Sequence, residues 1–267
     1  MQTALHIMAL IDELHETMVG GEIISTEFYK KRRAAYFFVR RDKTTRTLGL
    51  VYHPAGWGTF CVPAGKVKID TNEKPWPIFG LDGATVIDIA QRGIDRIFDL
   101  TVTHEGAAKT IVFEALGPNS NLWLLDDNGG RRATLRKRDF TEGEPYEAAP
   151  VADRFNPLEV TSDNLKEAAN DDSGVTLLTL LKKKLAGFNE TLAREVMARA
   201  DIDAYSLDEL SDEDWEALAT YARRVAAFFH RPEKGYLYTP RGGVIVYPFK
   251  LKSVDSEPEK LKSLSLA

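Results

Sequence analysis

The hydrophobic pattern of this chain changes period once, near residue 155, and that change limits what it can fold into. From residue 22 to about 150 the apolar residues come in short alternating runs: "EIISTEFY", "AAYFFVR", "TLGLVYH", "GTFCV", "TVIDIAQ", "IDRIFDLTV", "TIVFEAL" and "NLWLLD". Turn-forming segments such as "DKTT", "PAGWG", "HEGAAK" and "DDNGG" separate them. Alternation with period two is the mark of strands that bury one face. Beyond residue 160 the apolar residues return every three or four positions, as helices require. Strands gathered first and helices afterwards exclude an alternating βαβ architecture and predict an α+β fold. The expected division is residues 1–155 and 156–267, with "PVADRFNPLEVTSDNLKEAANDDSG" as the connection.

Three helices are legible in the second part. "LLTLLKKKLAG" aligns Leu177, Leu178, Leu181 and Leu185 and stops at Gly187. Asn189 is a good N-cap for "ETLAREVMARA", and Ser206 with Glu209 reads as a capping box. "DWEALATYARRVAAFF" repeats Trp215, Leu218, Ala222, Val225 and Phe229 at helical spacing. A closing hairpin, "YLYTPRGGVIVYPF", turns at residues 240–243. One further helix opens the chain: Leu5, Met8, Ile11, Leu14 and Met18 share a stripe that ends at Gly20 and Gly21.

Composition narrows the function. The chain has 267 residues, is 43% hydrophobic and 28% charged, and carries a net charge of -5, so any attraction for nucleic acid must be local. One cysteine, Cys61, excludes an internal disulfide framework and suits a reducing compartment; the expected location is cytoplasmic. No secretory signal is visible, and no run reaches the roughly 18 apolar residues that would mark a membrane span. The five histidines have no metal-ligand spacing with one another or with Cys61. Asp126 with Asp127, and Asp171 with Asp172, read better as solvated turn residues than as cation sites. Nucleophile elbow, phosphate loop and dinucleotide fingerprint are all absent, so neither cofactor nor small-molecule substrate is expected.

Charge is nonetheless uneven. Residues 21–53 hold eight cations, Lys30, Lys31, Arg32, Arg33, Arg40, Arg41, Lys43 and Arg46, against three carboxylates. Tyr29, Tyr36, Phe37 and Phe38 interleave with them, a pattern that suits phosphate-backbone binding. "RRATLRKR" adds a second basic run, whereas residues 201–216 carry eight carboxylates and no cation.

Within "RGIDRIFDL", read as a strand over residues 92–100, Arg96 falls on the apolar face with Phe98, Leu100 and Val102. A guanidinium there must find a carboxylate, a phosphate or water. A hairpin centred on Glu105 and Gly106 predicts that Glu114, across the turn, is its partner.

Several stretches together carry a resemblance: "LIDELHETMVGGEI", "GIDRIFDLTV", "IVFEALGPNSNLWLLDDNG", "GEPYEAAP", "RFNPLEV", "LLKKKLAGFNETLAREVMARADID" and "VIVYPFKL". In that order they resemble the amino-terminal domain of the NFACT proteins, also called the fibronectin-binding-protein-A-like domain. The resemblance implies a β-rich half like the amino-terminal domain of formamidopyrimidine-DNA glycosylase, then a helix–two-turn–helix region and a closing hairpin. It implies ribosome-associated quality control as the setting, in which stalled nascent chains receive a carboxy-terminal tail, with tRNA and the large ribosomal subunit as partners. It places Asp95 and Arg96 at the family position tied to tRNA engagement, with Glu114, Ser120 and Asn121 in the accompanying motif. Where the family has a basic helix before the Asp-Arg strand, this chain has the shorter and less basic "KPWPIFGLDGA".

The expectation is therefore a non-catalytic RNA-binding domain. Arg96 contacts a tRNA phosphate or base, Asp95 orients a nucleotide or the neighbours of Arg96, Glu114 holds the guanidinium, and Lys30, Lys31, Arg32 and Arg33 supply phosphate contacts. Two readings from other classes compete. A DNA glycosylase-like lyase, or a simple DNA-binding protein, shares the fold, but lyase chemistry uses an amino-terminal proline as the amine nucleophile, and Gln2 stands there. A surface adhesin is suggested by the family's older name, and the missing signal and anchor speak against it.

Overall fold

The computed structural model describes residues 2–54, 56–67, 72–148, 153–171, 174–203, 206–232, 234–239 and 245–261. Helix α1 (Ala4–Met18) precedes strands β1 (Glu22–Tyr29), β2 (Ala34–Arg41), β3 (Thr44–His53) and β4 (Gly56–Pro63). Then come β5 (Thr85–Gln91), β6 (Ile97–His104), β7 (Ala107–Glu114), β8 (Asn121–Leu125) and β9 (Arg131–Thr134). These nine form one antiparallel sheet in the order β4-β3-β2-β1-β5-β6-β7-β8-β9.

The sheet folds over on itself at the β1–β5 seam. Both strands carry a bulge there, between Ile23 and Ser25 and between Val86 and Asp88, and bulges bend and twist the strands that hold them. The fold brings Phe37 of β2 within 5.2 Å of Phe113 of β7, ring centre to ring centre, and Phe98 stacks on Phe113 at 4.5 Å. Helix α1 plugs this sandwich with Ile7, Leu10, Leu14 and Met18. Its other face, Leu5 and Ala9, belongs to a second core.

That second core is helical. Helices α2 (Ser162–Asp171), α3 (Leu177–Lys184), α4 (Glu190–Ala200) and α5 (Asp212–Ala227) bury Leu165, Leu181, Leu192, Val196, Leu218 and Val225 among others. A three-stranded sheet, β10 (Gly235–Tyr238), β11 (Ile245–Tyr247) and β12 (Glu259–Leu261), closes the chain in the order β11-β10-β12. Asn189 caps α4 as expected, its side chain accepting from Leu192 N–H at 3.0 Å. Glu195 of α4 is fully buried and pins the last segment: it accepts from the Lys252 and Ser253 amides, each at 2.9 Å, and from Arg199.

The fold is α+β, strands first and helices after, with a closing hairpin, as the change of period predicts. Four local expectations are corrected. Strand β6 starts at Ile97 rather than Arg92, because Gly93 turns the chain at a positive φ of 59° and residues 93–96 form a bend. The connection between the two parts contains α2, whose only buried residues are Leu165 and Ala168, too few for a visible stripe. Ser206 caps a 3-10 turn over Leu207–Glu209, whereas the capping box of α5 is Ser211 with Asp214. "RRAT", read only as a basic run, is β9. The turn expected at residues 240–243 lies outside the described residues.

Candidate nucleic-acid interface

The β6–β7 hairpin decides where Arg96 points. Glu105 and Gly106, with φ of 53° and 80°, make the two-residue turn that right-twisted strands prefer. His104 then pairs with Ala107, and counting outward places Ile97 opposite Glu114. Arg96 therefore faces Ala115, whose N–H donates to the Arg96 carbonyl at 2.8 Å. The expected Arg96–Glu114 pair is not formed. The register differs from expectation by one residue, and one residue sends a side chain to the opposite face.

Glu114 lies on the outer face of the sheet in a small cluster of its own, with Ile97, Val112, Trp123, Phe140 and Tyr146. It is 3% exposed. Its Oε1 accepts from the Tyr146 hydroxyl at 2.9 Å, and Arg138 Nη1 stands 3.4 Å from Oε2. Burial, followed by the charge of Glu114, pushes the Tyr146 phenol far above its usual range. Arg92 covers the Tyr146 ring and is bonded to Asp99 at 2.9 and 3.0 Å. Glu114 is thus the anchor of the outer cluster and does not hold Arg96.

Arg96 instead lies over the indole of Trp57 in β4, 5.6 Å from guanidinium carbon to ring centroid. The group is half-buried. Burial lowers its pKa, the Asp95 carboxylate raises it, and the like charge of Arg154 lowers it again. Asp95 binds the Arg96 amide through Oδ1 at 2.6 Å, so the two residues act as neighbours although they alternate along the chain. Gln91 ties this bend to the first turn of α1: its Nε2 donates to the Asp95 carbonyl at 2.6 Å and to the Ala4 carbonyl at 2.8 Å. Gln2 holds β4 beside it through both bonds of its amide to Thr59, at 2.7 and 2.8 Å. Gly117, at φ 71°, also approaches the indole, and a Cβ there would sit 3.2 Å from Trp57. Only glycine lets that turn come so close.

Trp57 pairs with Tyr52 across the β3–β4 ladder, and Tyr52 repeats the arrangement. Arg136 lies over the Tyr52 ring at 5.3 Å, and the Tyr52 amide donates to the Arg33 carbonyl at 2.9 Å. Arg136 is held there by the carbonyls of Pro118 and Ser120, at 2.9 and 3.2 Å. Asn121, fully buried, accepts from the Arg136 amide and donates to Thr134. Ser120 and Asn121 therefore lie inside the protein, and their place in the site is to support Arg136.

The basic run of residues 30–46 divides in two. Lys30, Lys31, Arg32 and Arg33 form the exposed β1–β2 turn, beside Tyr52. Arg40 pairs with Glu22, Arg46 with Glu13, and Arg41 donates to the Glu16 carbonyl, all at the far end of β2. An eight-residue strand separates the two groups, roughly 25 Å at about 3.3 Å per residue. The interleaved aromatics are mostly interior: Phe37 is fully buried, and Tyr29 and Tyr36 are 6% and 7% exposed. Asp126 is engaged by the Gly130 amide and by Arg132, as a turn residue would be.

One end of the sandwich thus gathers Arg33, Arg96, Arg136 and Arg154 around the rings of Tyr52 and Trp57. Sequence reading singled out Arg96 and Arg33. It missed Tyr52 and Trp57, which stand in a strand and a turn segment with no basic residue next to them, and it counted Arg136 only as part of a charge run.

A model of the NFACT N-terminal and middle domains matches residues 3–267. The chain belongs to the NFACT family. Among solved structures, the NFACT chain is similar to the fibrinogen binding protein of Staphylococcus aureus, with a TM-score of 0.77 at 19% identity over 98% of this chain and 96% of that one. It is similar also to the N-terminal part of the fibronectin/fibrinogen-binding protein of Streptococcus suis, with a TM-score of 0.72 at 19% identity, covering 99% and 96% of the two chains. The N-terminal domain of the fibronectin-binding protein PavA of Streptococcus pneumoniae matches at 0.59, again at 19% identity, over 72% of this chain and 80% of that one. At that identity the three structures bear on the fold alone. No curated protein matches the chain by sequence. Membership links this NFACT chain in general terms to ribosome-associated quality control. Among the described residues, no helix is long and apolar enough to cross a membrane.

Proposed function

We propose that this NFACT domain is a non-catalytic RNA-binding module that engages tRNA, in the cytoplasm and on the large ribosomal subunit, during carboxy-terminal tailing of stalled nascent chains. The observation that carries the reading is the placement of Arg96. It is half-buried against Trp57, shares its surroundings with the like-charged Arg154, and pairs with none of the carboxylates of the neighbouring hairpin. Cations gathered around aromatic rings are what a phosphate chain with exposed bases requires. Arg136 over Tyr52 and the exposed turn with Arg33 extend the same surface.

The test is titration of the full chain with tRNA at several salt concentrations. Micromolar or tighter binding that weakens with salt, and that Arg96→Ala together with Arg136→Ala reduces at least tenfold, is expected. A double variant that binds like the wild type removes the reading.

The names of the structural neighbours, fibronectin- and fibrinogen-binding proteins, favour a second reading, an adhesin for fibronectin or fibrinogen. The same titration against those two proteins separates the readings. Binding there that is indifferent to Arg96→Ala, with none to tRNA, favours the adhesin.

A further inference from the structure

Trp76 is the most exposed large apolar side chain of the described residues, at 65%. Its backbone is nevertheless held firmly. It exchanges two hydrogen bonds with Phe28, at 2.8 and 3.0 Å, and prolines flank it on both sides. The indole borders a groove of about 550 Å³ whose lining includes Phe28, Phe79, Ala133 and Leu135, with Lys30 as the one charged residue among the described residues that line it. That volume is within the range of about 300–1,000 Å³ common for clefts that take small flat ligands. We infer that Trp76 is a stacking platform for an unpaired nucleobase of RNA, with Lys30 on the adjoining phosphate.

The occupant follows from charge and continuity. Lys30 opens the basic turn, in which Lys30, Lys31, Arg32 and Arg33 are all exposed and one carboxylate, Glu73, accepts from the Lys31 amide at 3.0 and 3.1 Å. Leu135 of the same lining leads directly into Arg136, the residue over Tyr52. A strand of nucleic acid crossing Tyr52 and the basic turn reaches Trp76 next. An uncharged peptide would gain from the indole but not from this run of cations, whereas a phosphate chain with unpaired bases gains from both. An aromatic ring on a rigid backbone takes any base, because every base offers a π-face.

The inference rests on the RNA-binding reading, and the experiment separates the two. The full chain is titrated with an oligoadenylate of about ten nucleotides and with a blunt RNA duplex. Trp76→Ala is expected to weaken oligoadenylate binding about 10- to 100-fold, the worth of one stacked base, and to leave duplex binding unchanged. The slope of affinity against salt stays constant, because no cation is removed. Trp76→Phe restores most of the loss, and Lys30→Gln lowers the salt slope. If Trp76→Ala leaves oligoadenylate affinity intact while Arg96→Ala with Arg136→Ala lowers it, the platform is overturned and the RNA reading stands. If the wild-type chain binds neither RNA, both fall. If Trp76→Ala instead abolishes self-association in sedimentation, the groove belongs to a second copy and the inference is wrong.

Discussion

Arg96 and Glu114 occupy opposite faces of one hairpin: the guanidinium lies over Trp57 and the carboxylate lies under Tyr146 and Arg138. On one side Arg96 has Asp95 and Arg154 as charged neighbours; on the other Glu114 is a buried carboxylate hydrogen-bonded through Oε1 and ion-paired through Oε2. Substitutions at the two positions therefore have different consequences.

Asp95→Ala with Arg96→Ala is expected to leave unfolding by urea nearly unchanged, within about 1 kcal/mol, because the lost contacts are one cation–π contact and one local amide bond. The same double variant is expected to lose at least tenfold in tRNA affinity. Denaturation and titration of the same preparation check both halves of the statement, and full affinity would remove the functional reading of the pair.

Glu114→Ala is expected to behave in the reverse way. It strips the Tyr146 hydroxyl and Arg138 of a buried acceptor, and such a loss destabilises by about 1–3 kcal/mol. Its effect on RNA affinity is small once the fraction of folded protein is accounted for. An equal loss of affinity in Glu114→Ala and Arg96→Ala would show that the two faces act together after all.

The register error that separates these residues shows what the sequence makes legible. The apolar alternation located eight of the nine sheet strands, with β3 and β7 read three residues late at the start and β6 three to five residues early. The change of period located where strands give way to helices. A turn of two residues also fixes the pairing, but only when the count begins at the residues flanking it. An offset of one moves Arg96 from Ala115 to Glu114 without disturbing the apolar pattern, so the pattern cannot report the mistake. The candidate site was less legible. Residues 30–33 and 40–46 are neighbours in sequence and lie at opposite ends of β2, and a charge count cannot see the length of the strand between them. Tyr52 and Trp57 become neighbours of Arg136 and Arg96 only because the sheet folds over at the β1–β5 seam. No local pattern encodes that event beyond the bulges that permit it.

His6 gives the chain a pH dependence. It is buried at the start of α1, with Nε2–H donating to the Val246 carbonyl at 2.8 Å and Nδ1 accepting from the Thr3 amide at 3.2 Å. Burial brings its pKa down from 6.5 to about 4. The unfolded chain takes up a proton on His6 before the folded chain does. Its contribution is therefore complete above about pH 6.5 and is lost as the pH falls toward 4, by roughly 3 kcal/mol in all. Urea denaturation in steps between pH 7.5 and pH 4, wild type against His6→Asn, is expected to show a smaller acid loss in the variant. Parallel curves would show that other groups govern the acid transition.

Glu195→Ala is expected to release the final segment. The Lys252 and Ser253 amides and Arg199 all bond to that one buried carboxylate. Removing it leaves two amides without acceptors and a cavity behind α4, a loss of about 3–5 kcal/mol. Limited proteolysis checks this: cleavage beyond residue 250 is expected to quicken first, before cuts in β2 or β7. Uniform acceleration along the chain would point to global unfolding instead.

Helix α1 supplies Leu5 and Ala9 to one interior and Ile7, Leu10, Leu14 and Met18 to the other. Neither interior is whole without residues 4–18. A chain divided near residue 155 would leave the helical piece with an apolar bed open to water where α1 should lie, and that piece is expected to aggregate when produced alone. Supplied with the first piece in trans, it would regain solubility by docking on one helix. The first fifteen helical residues are thus a graft shared by both halves, and a lesion in the Leu5 stripe would be felt as far away as the strand that carries Tyr247.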